Sequence, residues 1–171
     1  MKFQNESVIR VPAQQLWEFL TAIPKVATCL PGVEEVNAVD ETKYVGVISI
    51  KVGMVKLRLA GNISIEAMDR DRYLAAMRVE AADKRVSGMI QGHMTMTLQE
   101  LSPEETKLLV DTEVSLFGKI GEFGQAMIRK KADQMMTEFA TTVAERLGGG
   151  TSERKRSGSI LGLSDPPPAK S

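Results

Sequence analysis

The side chains best suited to covalent or acid–base chemistry in this sequence are one cysteine and one histidine. Cys29 stands directly before a Leu-Pro-Gly turn, and His93 lies in a segment where polar and apolar residues alternate. A thiol becomes a nucleophile when a nearby base or positive charge stabilises its thiolate. The alternation places His93 on the outer face of a strand, away from Cys29. We therefore predict no catalytic residue and interpret Cys29 as a small apolar residue near the entrance of a cavity.

Metal and phosphate chemistry are disfavoured on similar grounds. One histidine and one cysteine do not make up a His/Cys metal set. The segment GKIGEFG (residues 118–124) has glycines three apart before a helical pattern, but it lacks the Gly-Lys-Ser/Thr ending of a phosphate-binding loop. We predict no metal site, and we interpret the three glycines as allowing a helix to approach a sheet closely.

The overall charge excludes broad electrostatic functions. The 171 residues carry 22 Lys or Arg and 22 Asp or Glu, so no net field attracts nucleic acid.

One cysteine forms no internal disulfide, and the start MKFQNESV lacks a secretion signal, which favours the cytoplasm. No apolar run approaches the roughly 20 residues that a membrane-spanning helix needs. Any membrane contact is therefore expected at the surface, on the inner face of the cell membrane.

The hydrophobic pattern predicts an α+β fold. Residues 2–11 alternate like a strand, and residues 12–22 and 25–30 read as two short helices. From Val33 to Leu116, apolar residues recur at every second position in six further strands with short turns, which is typical of antiparallel hairpins. From Gly118 to Gly148 the spacing changes to three and four, which predicts one long amphipathic helix of about 28 residues.

These elements predict the helix-grip architecture, in which a curled, seven-stranded antiparallel sheet wraps a long C-terminal helix and two short helices follow the first strand. Residues 1–148 would form this single ligand-binding domain. Residues 149–171 are basic and then proline-rich, without periodicity, and are expected to form a disordered tail.

The predicted concave face of the sheet is apolar and rich in small residues. Four glycines fall on inward positions, at Gly46, Gly61, Gly88 and Gly92, and the chain has ten methionines. Methionine adapts to irregular shapes, and normal interiors have few voids, so a hollow here predicts a bound molecule. Glycine inside a strand also marks bends, and both interpretations stay open.

A turn at Asp83-Lys84 would place Gly88 opposite Val79 and Gly92 opposite Ala75, so that small residues face one another. The inward-facing polar groups are limited to the hydroxyls of Tyr73 and Thr112, and the ligand is therefore expected to be mostly apolar. The predicted ligand-binding residues, with the first two near the entrance, are Cys29, Leu30, Ile50, Leu59, Met77, Ile90, Met94, Ile120, Phe123 and Met127.

Four segments carry a family resemblance. They are VPAQQLWEFL (11–20), CLPGVEEV (29–36), KVG (51–53) and GKIGEFG (118–124). With them the sequence resembles the G-subunit family of carbon monoxide dehydrogenase, which lies within the START-like, polyketide-cyclase-like helix-grip superfamily. The resemblance spans roughly Met1 to Gly148.

This resemblance implies an accessory protein of molybdenum hydroxylases of the carbon monoxide dehydrogenase type. It also implies an association with membrane attachment and with hydrophobic, quinone-like ligands. Some family members have an apolar C-terminal anchor, whereas SILGL here is too short to span a membrane.

Three hypotheses follow. The first is a non-catalytic protein that shelters a quinone or lipid-like molecule, without a covalent cofactor, as an assembly or electron-transfer accessory. The second is a START-like cyclase, aromatase or hydrolase that uses the same hollow and needs inward-facing polar groups. The third is an interaction module that docks on a dehydrogenase without any ligand.

Overall fold

The computed structural model describes residues 1–155, in which a curved antiparallel sheet wraps one long helix. Two short 3-10 turns lie at Ala27–Cys29 and Lys119–Glu122. The other elements, in chain order, are β1 (Lys2–Ile9), α1 (Ala13–Leu20), α2 (Ile23–Val26), β2 (Val33–Ala38), β3 (Lys43–Val52), β4 (Val55–Asp69), β5 (Leu74–Asp83), β6 (Gly88–Ser102), β7 (Glu105–Gly118), α3 (Gln125–Arg146) and β8 (Thr151–Lys155).

The strands lie in the order β2-β3-β4-β5-β6-β7-β1-β8, and every neighbouring pair is antiparallel. The predicted helix-grip fold and its seven strands are confirmed. One further strand, β8, comes from the segment that the sequence assigned to a disordered tail, and it pairs with β1. The rest of that predicted tail, residues 156–171, lies outside the described residues.

The Leu-Pro-Gly turn joins the short helices to the sheet. Gly32 has a φ of +93°, a conformation that residues with a side chain rarely adopt. Its carbonyl accepts a hydrogen bond of 2.8 Å from the amide of Ser49 on β3. A Cβ atom at Gly32 would lie 2.1 Å from the Ser49 carbonyl oxygen. Glycine is therefore required here for the chain to pass close to β3.

The last helix is shorter than the spacing predicted. It has 22 residues and begins at Gln125, so it is about 33 Å long at 1.5 Å per residue. Gly118 has a φ of +70° and ends β7, and the following 3-10 turn buries Ile120 completely. The apolar spacing before Gln125 therefore comes from this turn, which packs against the sheet before the helix starts.

The predicted register of β5 and β6 is wrong by four residues. Gly88 lies opposite Asp83, Gly92 lies opposite Val79, and Ala75 lies opposite Met96. The connection is longer than a two-residue hairpin because the Asp83 carboxylate accepts hydrogen bonds from the amides of Arg85 (2.8 Å) and Val86 (3.1 Å) and so stabilises a wider turn.

Two separate cores hold the helix against the sheet. The main core lies where α1, the short helices and the C-terminal half of α3 meet strands β1, β6 and β7; its buried residues are Ile9, Val11, Leu16, Trp17, Leu20, Ile23, Val26, Cys29, Leu98, Leu108, Val110, Ala140, Val143 and Ala144. The small core consists of Val52, Leu57, Leu59 and Ile120, with partly buried neighbours that include Ile128 near the start of α3.

Candidate ligand-binding cavity

A cavity of about 410 Å³ lies between the concave face of the sheet, the short helices and the middle of α3. This volume falls in the range of about 300–1,000 Å³ that is typical of small-molecule pockets. The cavity separates the two cores: Ile48 and Ala81 pack against the small core, Met94 and Met136 pack against the main core, and all four line the cavity. The sheet and the helix therefore leave space between them at the centre of the domain.

The cavity wall is apolar. Among the described residues, no charged residue lines it, and the polar lining residues are Thr21, Asn62 and Thr112. Burying an unpaired charge or polar group in such a space would be unfavourable, whereas an apolar surface would leave water favourably. The chemistry of the wall fits a mostly hydrophobic molecule with few hydrogen-bonding atoms.

The cavity wall is rich in methionine. Six of the ten methionines in the chain line the cavity: Met68, Met77, Met94, Met96, Met135 and Met136. None of these six is fully buried. Because methionine is unbranched and has three rotatable bonds, a wall of this kind can change its shape.

Four of the ten predicted ligand-binding residues line the cavity. They are Leu30 after the first 3-10 turn, Leu59 on β4, Met77 on β5 and Met94 on β6. The alternation of the strands placed the last three side chains on the concave face, and Leu30 was expected at the entrance from its place in the turn. Their role as ligand contacts stays a prediction.

The other six predicted residues, Cys29 among them, lie outside the lining. Ile50, Ile90, Ile120 and Phe123 belong to the small core and its packed neighbours. Met127 is 44 % exposed in the first turn of α3, beside Gly53. They were grouped with the wall because alternation reports which face a residue occupies, but not whether another side chain fills the space in front of it.

Cys29 is a core residue, although the lining residues Ala27 and Leu30 stand close to it in the chain. Its side chain is 3 % exposed and does not line the cavity. Burial raises the pKa of the thiol, against smaller lowering effects of the Arg146 charge and of a hydrogen bond with Thr28. A thiol with a raised pKa is protonated at neutral pH, which fits a packing role.

The inward glycines do different things. Gly46 and Gly61 line the cavity and lie directly opposite each other on β3 and β4. A Cβ atom at Gly61 would lie 1.9 Å from the Glu80 carbonyl oxygen, so this glycine permits close approach of neighbouring strands. At Gly88 the missing side chain is replaced by Ile120, whose Cγ1 would lie 2.4 Å from an added Cβ. The space at Gly88 is therefore part of the filled small core and does not enlarge the hollow.

Several lining residues were missed from the sequence. Ala132, Met135, Met136 and Phe139 form the side of α3 that faces the cavity. Their spacing of three and four is visible in the sequence and could have identified them. Met68 had no such signal, because a β-bulge in β4 interrupts the alternation before it.

The two inward hydroxyls also differ. Thr112 lines the cavity, as its position on β7 predicted. Tyr73 does not: it has a φ of +50° in the turn between β4 and β5, and its ring packs against Trp17 with centroids 5.7 Å apart. The tyrosine hydroxyl is therefore not part of the lining.

Polar contacts hold α3 against β1 along one side of the cavity. Asn5 Nδ2 donates a hydrogen bond of 2.7 Å to Asp133, and Arg129 donates to the Lys2 carbonyl oxygen at 3.3 Å. The Arg129 guanidinium also lies 5.9 Å from the ring centroid of Phe3, which lines the cavity. These contacts fix the position of the helix above the hollow.

His93 lies on β6 with Nε2 2.5 Å from Glu66 Oε1, and neither residue lines the cavity. Within residues 1–155, no cluster of three or more His, Cys, Asp or Glu side chains is arranged to hold a metal ion. The same part of the chain contains no helix with the length and apolar character needed to cross a bilayer.

A curved antiparallel sheet that wraps a long last helix is the START-like fold, and solved structures share this fold. The chain superposes on a conserved protein from Geobacillus kaustophilus with a TM-score of 0.79 at 16% identity, covering 90% of this chain and 100% of that one. The Zhui aromatase/cyclase from Streptomyces sp. R1128 superposes with a TM-score of 0.65 at 15% identity, covering 86% of this chain and 93% of that one. A START superfamily protein from Mycobacterium smegmatis superposes with a TM-score of 0.61 at 10% identity, covering 86% of this chain and 97% of that one.

The sequence defines the family more narrowly than the fold does. Residues 6–148 match the model of the CoxG family, the G subunit of carbon monoxide dehydrogenase, and the chain belongs to this family. The resemblance inferred from the four sequence segments is therefore confirmed. Among curated proteins, none matches this sequence. The chain is therefore a member of the CoxG family with a START-like fold.

Proposed function

We propose that this protein is a non-catalytic accessory protein that binds a hydrophobic small molecule, a quinone or a lipid-like compound, in the cavity beneath α3. It would serve a molybdenum hydroxylase of the carbon monoxide dehydrogenase type in the cytoplasm, aiding electron transfer or attachment to the inner face of the cell membrane. The observation that carries this proposal is the cavity of about 410 Å³ with no charged residue among its described lining residues.

The size of the apolar wall favours reversible binding. Burying about 300 Å² of ligand surface at about 25 cal/mol per Å² yields near 7 kcal/mol. Loss of rigid-body freedom and ordering of the wall offset part of this gain. The remaining free energy supports a ligand that is picked up and released, as a carrier of quinones or lipids requires.

The polar groups of the lining support binding more than catalysis. Thr21, Asn62 and Thr112 provide uncharged hydrogen-bonding groups, which suit a carbonyl or hydroxyl of a ligand. Acid–base catalysis uses groups that exchange protons near neutral pH, such as His, Asp and Glu, and none of these lines the cavity within residues 1–155. The aromatase/cyclase neighbours are 15% identical to this chain or less, and at that level the similarity supports a shared fold but not a shared activity.

Thermal unfolding in the presence of decylubiquinone tests the binding proposal. A ligand at a hundredfold excess over its Kd stabilises by about 2.7 kcal/mol, which raises the Tm by about 5–10 °C. Ala75→Phe, which places a large ring in the cavity, should abolish this shift. Ala60→Phe is the matched control, because Ala60 is exposed on the same sheet and does not line the cavity.

The outcomes separate binding from misfolding. Ala132→Phe fills the cavity from the side of α3, so it repeats the test if Ala75→Phe does not fold. Both filled variants should keep a cooperative melting transition while losing the ligand-induced shift. The proposal fails if wild-type protein gains no stability with decylubiquinone or with a fatty acid and yields no lipid or quinone on solvent extraction.

Co-purification tests the partner separately. The wild-type protein, the filled variant and the Ala60→Phe control would each be used to capture a molybdenum hydroxylase from the source cells. Capture by wild type but not by the filled variant links the partner to the ligand-bound form. Equal capture by all three indicates a docking module whose cavity plays no part in assembly, and no capture refutes the proposed partner.

A further inference from the structure

A β-bulge in β4 turns Met68 toward the concave face of the sheet. Ile65 lies opposite Met77, but Ala67 then lies opposite Ala76, so Glu66 is an extra residue in the register with β5. Because of this extra residue, Met68 lies opposite Ala75, and both line the cavity. In a regular strand with Ile65 facing inward, Met68 would face outward. Bulges that re-aim one side chain are frequent next to binding sites.

Contacts on the outer face stabilise the bulge. The Glu66 carboxylate forms an ion pair of 2.9 Å with Arg78 on β5 and contacts His93 Nε2 on β6 at 2.5 Å. The side chain of the extra residue is therefore bound to the two neighbouring strands. This arrangement gives the single histidine a structural role that its sequence position did not suggest.

Met68 connects the cavity with the solvent. Its side chain is 45 % exposed, and it is the one exposed large hydrophobic residue in the described part of the chain that also lines the cavity. It stands at the end of β4, next to the turn that leads to β5. A flexible side chain that contacts both the hollow and the solvent marks an opening, and methionine can move aside at small cost.

We propose that hydrophobic ligands enter and leave the cavity past Met68, and that this side chain sets the exchange rate and the width of the ligand that passes. The inference rests on the proposed binding function and adds a route and a rate-determining residue to it. A side chain that obstructs the entrance, here called a gate, changes the association and dissociation rates together. A residue of the cavity wall mainly changes the dissociation rate.

Stopped-flow fluorescence measures these rates with decylubiquinone, because quinones quench tryptophan emission and the chain has one tryptophan. Trp17 is buried in the main core, one turn before the lining residue Leu20. Met68→Ala should raise the association and dissociation rates together by about tenfold, and Met68→Phe should lower both by a similar factor. Met77→Ala, a wall variant, should raise the dissociation rate and leave association nearly unchanged.

Met54→Ala is the matched control, since Met54 is 90 % exposed and does not line the cavity. Its rates should equal those of wild type. If Met68→Ala and Met68→Phe also match wild type while wild type binds saturably, the gate is refuted and the binding function stands. If wild type shows no saturable quenching that Ala75→Phe removes, the binding function fails and the proposed route fails with it.

Discussion

The cavity and the small core are built from the same strands and the same kinds of residue, yet one is hollow and the other is filled. Both use inward apolar positions of β3, β4 and β5, and Leu59 belongs to both. At the small core the 3-10 turn before α3 inserts Ile120 against Gly88. Above the cavity, α3 presents Ala132 and flexible methionines instead. The layer that covers the sheet therefore decides whether a given part of its concave face is filled.

Removing Ile120 should have the largest effect on stability. Its side chain is fully buried, so Ile120→Ala should lower the free energy of unfolding by about 2–5 kcal/mol. Met77→Ala should cost clearly less, because that side chain borders the hollow and already lacks neighbours on one side. Urea denaturation of both variants measures the difference. Equal losses would contradict the distinction between a filled core and an open wall.

A side chain added at Gly88 should have the next largest effect. The new Cβ of Gly88→Ala would overlap Ile120, and such overpacking costs about 1–3 kcal/mol. Gly92→Ala is the matched control, because the nearest atom to its Cβ would be 3.7 Å away. In the double variant Gly88→Ala/Ile120→Ala the two losses should be less than additive. Additive losses would show that Ile120 does not occupy the space at Gly88.

Acid should weaken the turn beside the small core through Asp83. Hydrogen bonds from the backbone amides of Arg58, Val86 and Arg85 hold the pKa of this carboxyl below its usual value near 4. As the pH falls, the unfolded chain therefore binds a proton at this carboxyl before the folded chain does. The stability that the Asp83 carboxylate contributes is present at neutral pH and is lost as the pH falls through the folded pKa. Asp83→Asn should flatten the decline of Tm between about pH 5 and 2. If Asp83→Asn leaves the decline of Tm at low pH unchanged, Asp83 does not cause it.

Alkali should have the smallest effect, through Cys29 in the main core. Burial raises the pKa of this thiol, so the unfolded chain loses its proton first, above about pH 8.5. The stability contributed by the buried thiol is complete below that pH and declines as the pH rises toward the folded pKa. Cys29→Ala should remove this part of the alkaline decline in Tm. Loss of decylubiquinone binding in the same variant would contradict its place outside the cavity wall.

Much of the fold could be predicted because its signals are local. Alternation identified seven strands, and spacing of three and four identified the last helix. The Leu-Pro-Gly motif marked a turn in which Gly32 passes against β3. The start of α3 was missed because Ile120 and Phe123 continue a helical spacing although they lie before Gln125. Local patterns report how a segment faces its surroundings, but not which backbone conformation puts it there.

The candidate site was less predictable because it depends on distant contacts. Leu59, Met77 and Met94 were found from the face that they share. Ile50 and Ile90 were assigned to that face too, but their neighbours at the small core fill the space in front of them. Met68 was missed because one extra residue in β4 reversed its direction.

The sequence by itself determined the order of elements, the apolar character of the concave face and the family. Each of these depends on residue types at short spacing, which a chain carries before it folds. The tertiary structure alone decided that Ile120 fills one end of the sheet, that the middle stays hollow, and that Met68 faces the hollow. These outcomes depend on register and on which side chain arrives from a segment far along the chain.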